Sequence, residues 1–291
     1  MLNVYEQVRN NKSRSSTIIA LFIIFIISVA TIITYAFDLD PSFVIFAVIF
    51  SCFSSVISYF YGDKIVLNLN NAHPAKREKY FDFYTITENL AMGMGIPKPQ
   101  IYVIEDESPN AFATGKDPKS AVICATTGLL NKLNRTELEG VIAHELSHIQ
   151  NYDIRVMMIV SVLIGTISIL VNLVSRNRLG RNSDRKSNGL LILLGFILLL
   201  FAPLIGQIIQ LAISRSREFL ADSSAVKLTR QPQGLINALK KISSDPSVLA
   251  SASTATASLY IINPFKNNKI ANLFSTHPPI EKRITALEQM L

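Results

Sequence analysis

Four long stretches of the chain contain no Asp, Glu, Lys or Arg. They hold 20 residues or more each, and they cover 15–37, 41–62, 156–175 and 187–214. A helix needs roughly 20 apolar residues to cross the hydrocarbon core of a bilayer. Each stretch is long enough to do so, and we therefore predict a multi-pass membrane protein.

The remaining segments show shorter patterns. Helical spacing of apolar residues runs through 77–96, 134–150, 214–228, 233–242 and 276–291. Two β-rich runs, 100–105 and 120–126, are separated by turn-forming residues at 107–118. The predicted fold is mostly α with a small β-sheet, attached to membrane helices.

The helix predicted after Asn134 has the clearest start. Glu137 follows three residues later, which is the spacing of a capping box. Apolar positions then form one face of the helix: Leu138, Val141, Ile142, Leu146 and Ile149. The sequence HELSH, at 144–148, lies on this helix.

Composition supports the membrane prediction. The 291 residues are 49% hydrophobic and 17% charged, with a mean hydropathy of +0.33, which is too apolar for an ordinary soluble domain. The net charge of +7 comes from basic residues that flank apolar stretches, so we assign it to a membrane surface and not to nucleic acid. Cys52 and Cys124 have no disulfide or metal-ligand spacing.

The distribution of charge predicts the topology. Arg9, Lys12 and Arg14 precede the first stretch, whereas Asp38 and Asp40 follow it, which places the N-terminus in the cytoplasm. The chain then returns to the cytoplasm near residue 63. Five basic residues between the third and fourth stretches break the charge rule, so these stretches either cross or form a hairpin that does not. Both alternatives return residue 215 to the side of residue 155.

The HELSH sequence has the spacing of a zinc site. On a helix, His144 and His148 project from one face about a turn apart, where a single zinc ion can bridge them. Glu145 then lies beside the metal, where it can take a proton from bound water and pass it to a leaving amine. The alternative is a solvated helix face, but two of only four histidines fall in this spacing.

A catalytic zinc site needs a third protein ligand. His73 and His277 are candidates, but REFLAD offers a better one in Glu218, with Asp222 four residues later on the same helical face. In such a pair, the first carboxylate can bind the metal and the second can accept the free N–H of a ligand histidine. We expect the metal to lie just above the membrane, on a helix that continues from His148 into the third stretch.

Several separated motifs resemble the HtpX family of bacterial membrane zinc metalloproteases. They are NAFATG (110–115), TTGLL (126–130), VIAHELSHIQNYD (141–153), SREFLAD (216–222) and THPPIEKRI (276–284). The resemblance implies a zincin-like domain with one Zn²⁺ per chain, bound by His144, His148 and Glu218. It implies Glu145 as the catalytic base and Asp222 as the partner of a ligand histidine.

Five further residues have weaker functional interpretations. Asp153 matches the family motif and is either a partner of the site or a polar helix terminator. Asn110 and Phe112 either shape an edge along which a peptide adds as a strand or pack a loop. His277 either stabilises an oxyanion or starts a helix, and Arg217 either adds positive charge to the site or lies at the membrane edge.

The resemblance also implies the function, which is endoproteolysis of damaged or misassembled membrane proteins, in quality control or stress response. With the predicted topology, we expect it at the cytoplasmic face of the bacterial inner membrane. The partners are the lipid bilayer and protein substrates, with the oligomeric state left open. One alternative is an inactive scaffold, which the presence of Glu145 disfavours. A transporter would require ionisable residues within the apolar stretches, and these have none.

The expected organisation has four parts. Residues 1–62 form an anchor of two transmembrane helices, and 63–155 form the first part of the peptidase domain. Residues 156–214 form a hydrophobic helical hairpin. Residues 215–291 form the second part of the peptidase domain and carry the third ligand.

Overall fold

A computed structural model of the chain describes residues 4–37, 40–179, 215–247, 249, 255–262, 264 and 278–291. Its helices are α1 (Val4–Phe37), α2 (Ser42–Leu69), α3 (Phe81–Gly93), α4 (Thr127–Lys132), α5 (Arg135–Gln150), α6 (Asp153–Leu179), α7 (Arg215–Thr229), α8 (Pro232–Ser244) and α9 (Ile280–Glu288). Its strands are β1 (His73–Pro74), β2 (Gln100–Ile104), β3 (Ala111–Thr114) and β4 (Val122–Thr126). Short 3₁₀ turns cover Pro118–Ser120 and Ala257–Leu259.

The N-terminal helix pair, α1 and α2, corresponds to the first two apolar stretches. Arg9–Ile32 and Ser42–Leu69 are long and apolar enough to cross a membrane. One face of α2 exposes large apolar side chains, including Phe43, Phe46 and Phe53. Its buried face consists mainly of small residues, which let α1 and α6 approach closely: Ala47, Ser51, Ser54, Ser55, Ser58 and Gly62.

The third apolar stretch begins inside the protein. It lies in α6, and residues from Val156 to Val160 are at most 6% exposed because they pack against α1, α2 and the sheet. Ser58 of α2 donates a hydrogen bond to the backbone oxygen of Ile159 across this contact. The start of this stretch is therefore enclosed by other helices. The fourth stretch, 187–214, lies outside the described residues.

The four strands form one mixed sheet in the order β1-β2-β4-β3. β2 and β4 are parallel, and the other two pairs are antiparallel. The prediction that 107–118 contains only turns was wrong, since β3 lies within it. The sequence pattern does not indicate β3, because all four of its residues are buried. The strand therefore lacks the alternation of apolar and polar side chains that marks a half-exposed strand.

Both faces of the sheet are covered. Ile101, Val103 and Ile123 point into a core shared with α5 and α8. Phe112 and Cys124, on the opposite face, point into a second core that contains residues of α1, α2 and α6. The sheet therefore joins the N-terminal helix pair to the rest of the protein through continuous apolar packing.

Helix α5 begins and ends for local reasons. The Asn134 side chain accepts from the backbone N–H of Glu137, and the Glu137 carboxylate accepts from that of Asn134, which confirms the predicted capping box. The helix ends at Gln150, and Tyr152 takes a left-handed conformation with φ of 60° before α6 starts. The expectation of one continuous helix from His148 into the third stretch was therefore wrong.

The packing of α5 against α8 depends on a glycine. A Cβ atom at Gly140 would lie 2.8 Å from the backbone nitrogen and 2.9 Å from the Cα of Leu235. These are backbone atoms, so α8 would have to move as a whole. The close approach holds the C-terminal helices against the helix that carries HELSH.

We predict that Gly140→Ala lowers the free energy of unfolding by about 1–3 kcal/mol, because overpacking outweighs the gain in helix propensity. Thermal or denaturant unfolding in detergent measures this. Gly165→Ala is the control, since, among the residues that the structure describes, a Cβ there meets only the Ala255 side chain at 3.6 Å. An equal response of both variants would contradict the assignment of this contact.

Candidate active site

Three side chains from two helices converge at one buried point. The Nε2 atoms of His144 and His148, on α5, are 3.2 Å apart. Glu218, on α7, places Oε2 3.6 Å from Nε2 of His144 and Oε1 3.6 Å from Nε2 of His148. All three residues are at most 5% exposed. The structure thus brings together the three residues that the sequence predicts as ligands.

A carboxylate holds the other ring nitrogen of each histidine. Asp222 Oδ1 lies 2.9 Å from Nδ1 of His144, and Asp153 Oδ2 lies 3.0 Å from Nδ1 of His148. When each Nδ1 donates its proton to its carboxylate, both Nε2 atoms present lone pairs to the same point. This is the arrangement expected for Asp222, and it favours the functional interpretation of Asp153.

The donor set fits a metal ion. The two Nε2 atoms are 3.2 Å apart, each lies 3.6 Å from a different oxygen of the Glu218 carboxylate, and one ligand atom from each of the three residues lies within 4.8 Å of the others. Tetrahedral ligands with bonds of about 2.0–2.2 Å lie roughly 3.3–3.6 Å apart, so a metal ion can be accommodated between them. Two facing imidazole lone pairs also repel unless a cation lies between them. His144, His148 and Glu218 can therefore hold one metal ion, with their orientation fixed by Asp222 and Asp153.

The break after α5 makes the Asp153 contact possible. On a continuous helix, a residue five positions after His148 would point about 140° away from it, at 100° per residue. The left-handed Tyr152 instead redirects the chain so that Asp153 faces the His148 ring. The end of α5 therefore helps to position Asp153 against His148.

Arg283, on α9, is a site residue that the sequence analysis missed. It is fully buried, and its Nε and Nη2 atoms lie 2.8 and 2.6 Å from the two oxygens of Asp222. Its Nη1 lies 3.4 Å from Glu218 Oε2 and donates to the backbone oxygen of Ile261 at 3.2 Å. The THPPIEKRI motif contains Arg283, but only the tertiary fold shows which of its residues reaches the site.

Burial and charge shift the site's proton affinities. Burial raises the pKa of Glu145 to about 7. Burial lowers the pKa of His144, and the Arg283 charge lowers it further. Burial also opposes protonation of His148, but the Asp153 hydrogen bond and the carboxylate of Glu218 outweigh it and raise the pKa to about 9. The site therefore places a buried carboxyl group with a raised pKa beside the candidate ligands.

Comparison with known proteins identifies the family. The sequence profile of Peptidase family M48 matches residues 80–291. The chain belongs to this family. It is 41% identical to a protease HtpX homolog of Dictyoglomus turgidum over 98% of this chain and 94% of that protein. It is 42% identical to one of Ligilactobacillus salivarius, over 99% of this chain and all of the relative.

A solved M48-like fold agrees with this. The crystal structure of S. mikatae Ste24p superposes with a TM-score of 0.52 at 21% identity and covers 94% of this chain. This chain spans 62% of that structure's length. The HtpX resemblance predicted from the sequence motifs is confirmed, and the mostly helical fold with a small mixed sheet is that of an M48 peptidase.

Arg217 lies beside the site of this M48 chain. Its Nη1 atom lies 2.9 Å from Asp153 Oδ1, and its side chain is 12% exposed. Burial lowers the pKa of Arg217, while Asp153 opposes that shift. Its contact favours the interpretation in which it contributes positive charge near the site.

The other predicted residues have structural contacts or lie elsewhere. Asn110 donates through Nδ2 to the backbone oxygen of Ile262 at 2.9 Å, and Phe112 packs edge-on against Tyr260. His73 is exposed in β1, which is the edge strand of the sheet opposite β3. His277 lies outside the described residues.

We predict that Arg283→Met lowers the free energy of unfolding of the metal-free chain by about 3–5 kcal/mol, because it leaves Asp222 as an uncompensated buried charge. It should also reduce metal retention by about 10–100-fold. Denaturant unfolding and metal analysis measure the two effects. Lys240→Met is the control, since it removes an exposed ion pair with Glu288 of α9 and should change stability by less than about 1 kcal/mol.

Parent-like stability and metal retention in Arg283→Met would contradict the role given to this contact. A loss equal to that of Lys240→Met would do the same.

Proposed function

We propose that the chain is a membrane-bound zinc endopeptidase. The convergence of His144, His148 and Glu218 on one point, with Glu145 beside it, carries the proposal. Two histidine nitrogens and one carboxylate oxygen form a catalytic zinc set that leaves a fourth position open. One Zn²⁺ per chain would polarise the scissile carbonyl and lower the pKa of a water molecule to about 7.

Glu145 is the proposed general base. Its carboxylate accepts a hydrogen bond from the backbone N–H of Ala113, which holds it beside the candidate ligands. It takes a proton from the attacking water as the new C–O bond forms. It then gives that proton to the amide nitrogen as the C–N bond breaks, so a single carboxyl group serves both halves of the hydrolysis.

We place the substrate along β3, which is the edge strand of the sheet. An extended peptide can add to such an edge through main-chain hydrogen bonds. Ile261 donates to the backbone oxygen of Ala111, and we assign the substrate to the Ala113 end of this strand, where the backbone of Ala113 contacts Glu145. In this arrangement, Asn110 and Phe112 support the edge through Ile262 and Tyr260.

We infer that the protein acts at the cytoplasmic face of the bacterial inner membrane on damaged or misfolded membrane proteins. The N-terminal helix pair supports the membrane association. Arg9, Lys12 and Arg14, before the apolar part of α1, support the orientation. Quality control or stress response is the corresponding role. Residues 156–214 complete the membrane part, and 63–155 with 215–291 form the peptidase domain.

We predict that Glu145→Gln retains zinc but loses cleavage by about 10²–10⁴-fold, because the amide cannot accept the proton. His148→Ala should lose both zinc and cleavage. Zinc analysis and cleavage of casein or a destabilised membrane protein by the purified full chain test this. Glu139→Gln is the control on the same helix, since Glu139 pairs with Arg135 away from the site.

Equal residual cleavage by the parent and Glu145→Gln would refute the proposed chemistry. A well-folded parent chain that contains no zinc would refute the metal assignment.

A further inference from the structure

A residue of the N-terminal helix pair contacts the carboxylate that holds His148. Asn11, on α1, is 2% exposed. Its Nδ2 atom donates to Asp153 Oδ1 at 2.8 Å and to the backbone oxygen of Asn151 at 2.7 Å. Asn151 lies in the short connection between α5 and α6, and Asp153 is the first residue of α6. The first apolar helix thus contacts the same carboxylate that holds His148.

The two carboxylate oxygens of Asp153 contact different groups. Oδ2 faces Nδ1 of His148 at 3.0 Å, whereas Oδ1 lies 2.9 Å from Nη1 of Arg217 and accepts from Asn11. A carboxylate held at both oxygens cannot rotate without breaking one of these contacts. The orientation of the His148 ring therefore depends on groups that lie on α1 and α7.

The chemistry of an amide suits this position. Asn11 donates two hydrogen bonds but carries no charge, so it orients Asp153 without neutralising the carboxylate that His148 requires. The ammonium group of the neighbouring Lys12 lies over the Tyr152 ring, with Nζ 5.0 Å from the ring centre. Consecutive residues of α1 thus contact Tyr152 and the two residues that flank it.

The contact is costly to remove because it is buried. Without the amide, the carbonyl oxygen of Asn151 loses a donor, and Asp153 Oδ1 keeps Arg217 but loses Asn11, in a place that water does not reach freely. Two groups would then be free to shift: the left-handed turn at Tyr152 and the Asp153 carboxylate. Both changes would loosen the same ligand.

We propose that Asn11 is a positioning residue for His148, acting through Asp153, so that the N-terminal helix pair forms part of the metal centre. The inference rests on the proposed function, in which His148 is a zinc ligand. In this proposal, α1 is not only a membrane anchor. The packing of α1 against the turn between α5 and α6 influences the affinity of the site for the metal.

The test uses the purified chain and the variant Asn11→Leu, which keeps the branching of the side chain but removes both hydrogen bonds. We expect a 10–100-fold loss of Zn²⁺ affinity in chelator competition, faster zinc release, and a shifted visible absorption spectrum of the Co²⁺-substituted protein. Asn11→Gln, which retains an amide donor, should recover part of the affinity. Asn11→Asp, which keeps the shape but cannot donate when ionised, should weaken zinc binding even if the leucine variant does not fold.

Ser58→Ala is the matched control. It removes another buried hydrogen bond between the N-terminal helix pair and α6, to Ile159, away from the ligands. We expect its zinc affinity to stay within about twofold of the parent, since no ligand or ligand partner changes. Thermal unfolding of each metal-free variant separates loss of folding from loss of metal.

Three outcomes would overturn the proposal. Asn11→Leu could fold and bind zinc as the parent does, with an unchanged Co²⁺ spectrum. Alternatively, Asn11→Leu and Ser58→Ala could lose affinity equally, which would indicate general packing. If the parent chain binds zinc and cleaves while the Asn11 variants are unaffected, the proposed function stands and the role of Asn11 is refuted. If the parent chain contains no zinc, the proposed function and the role of Asn11 are both refuted.

Discussion

Two carboxylate–histidine hydrogen bonds determine the geometry on which the candidate site depends. Asp222 and Asp153 fix one nitrogen of His144 and of His148, and they leave the opposite nitrogens directed at Glu218. A carboxylate inside a protein requires its own compensation, and each of these has an arginine: Arg283 for Asp222 and Arg217 for Asp153. The site is thus a set of paired charges arranged so that no residue is held by a single contact.

These pairs draw together distant parts of the sequence. The histidines come from α5, Glu218 and Asp222 come from α7, and Arg283 comes from α9. The sheet and its two cores hold these helices in register, because packing on both faces leaves little freedom for one layer to slide against another. The fold therefore holds the polar atoms of the site in a fixed arrangement.

Local features could be predicted from the sequence, whereas long-range ones could not. HELSH and the pair Glu218–Asp222 have helical spacing, so their faces follow from the period alone, and the cap at Asn134 is equally local. Three features depend on contacts between segments far apart in the chain: β3, the turn at Tyr152 and the burial of Arg283. A four-residue strand of mostly small residues, a left-handed tyrosine and an arginine in a polar helix have no distinctive local pattern.

The position of Arg283 also bears on how the site is assembled. It lies on α9, 61 residues after its partner Asp222 on α7, so their buried ion pair forms only when these two helices pack together. Until α9 docks, Asp222 lacks its cation, and its hold on His144 is weakened. A chain in which α9 is not docked would thus carry the three candidate ligands, while the carboxylate that holds His144 lacks its arginine.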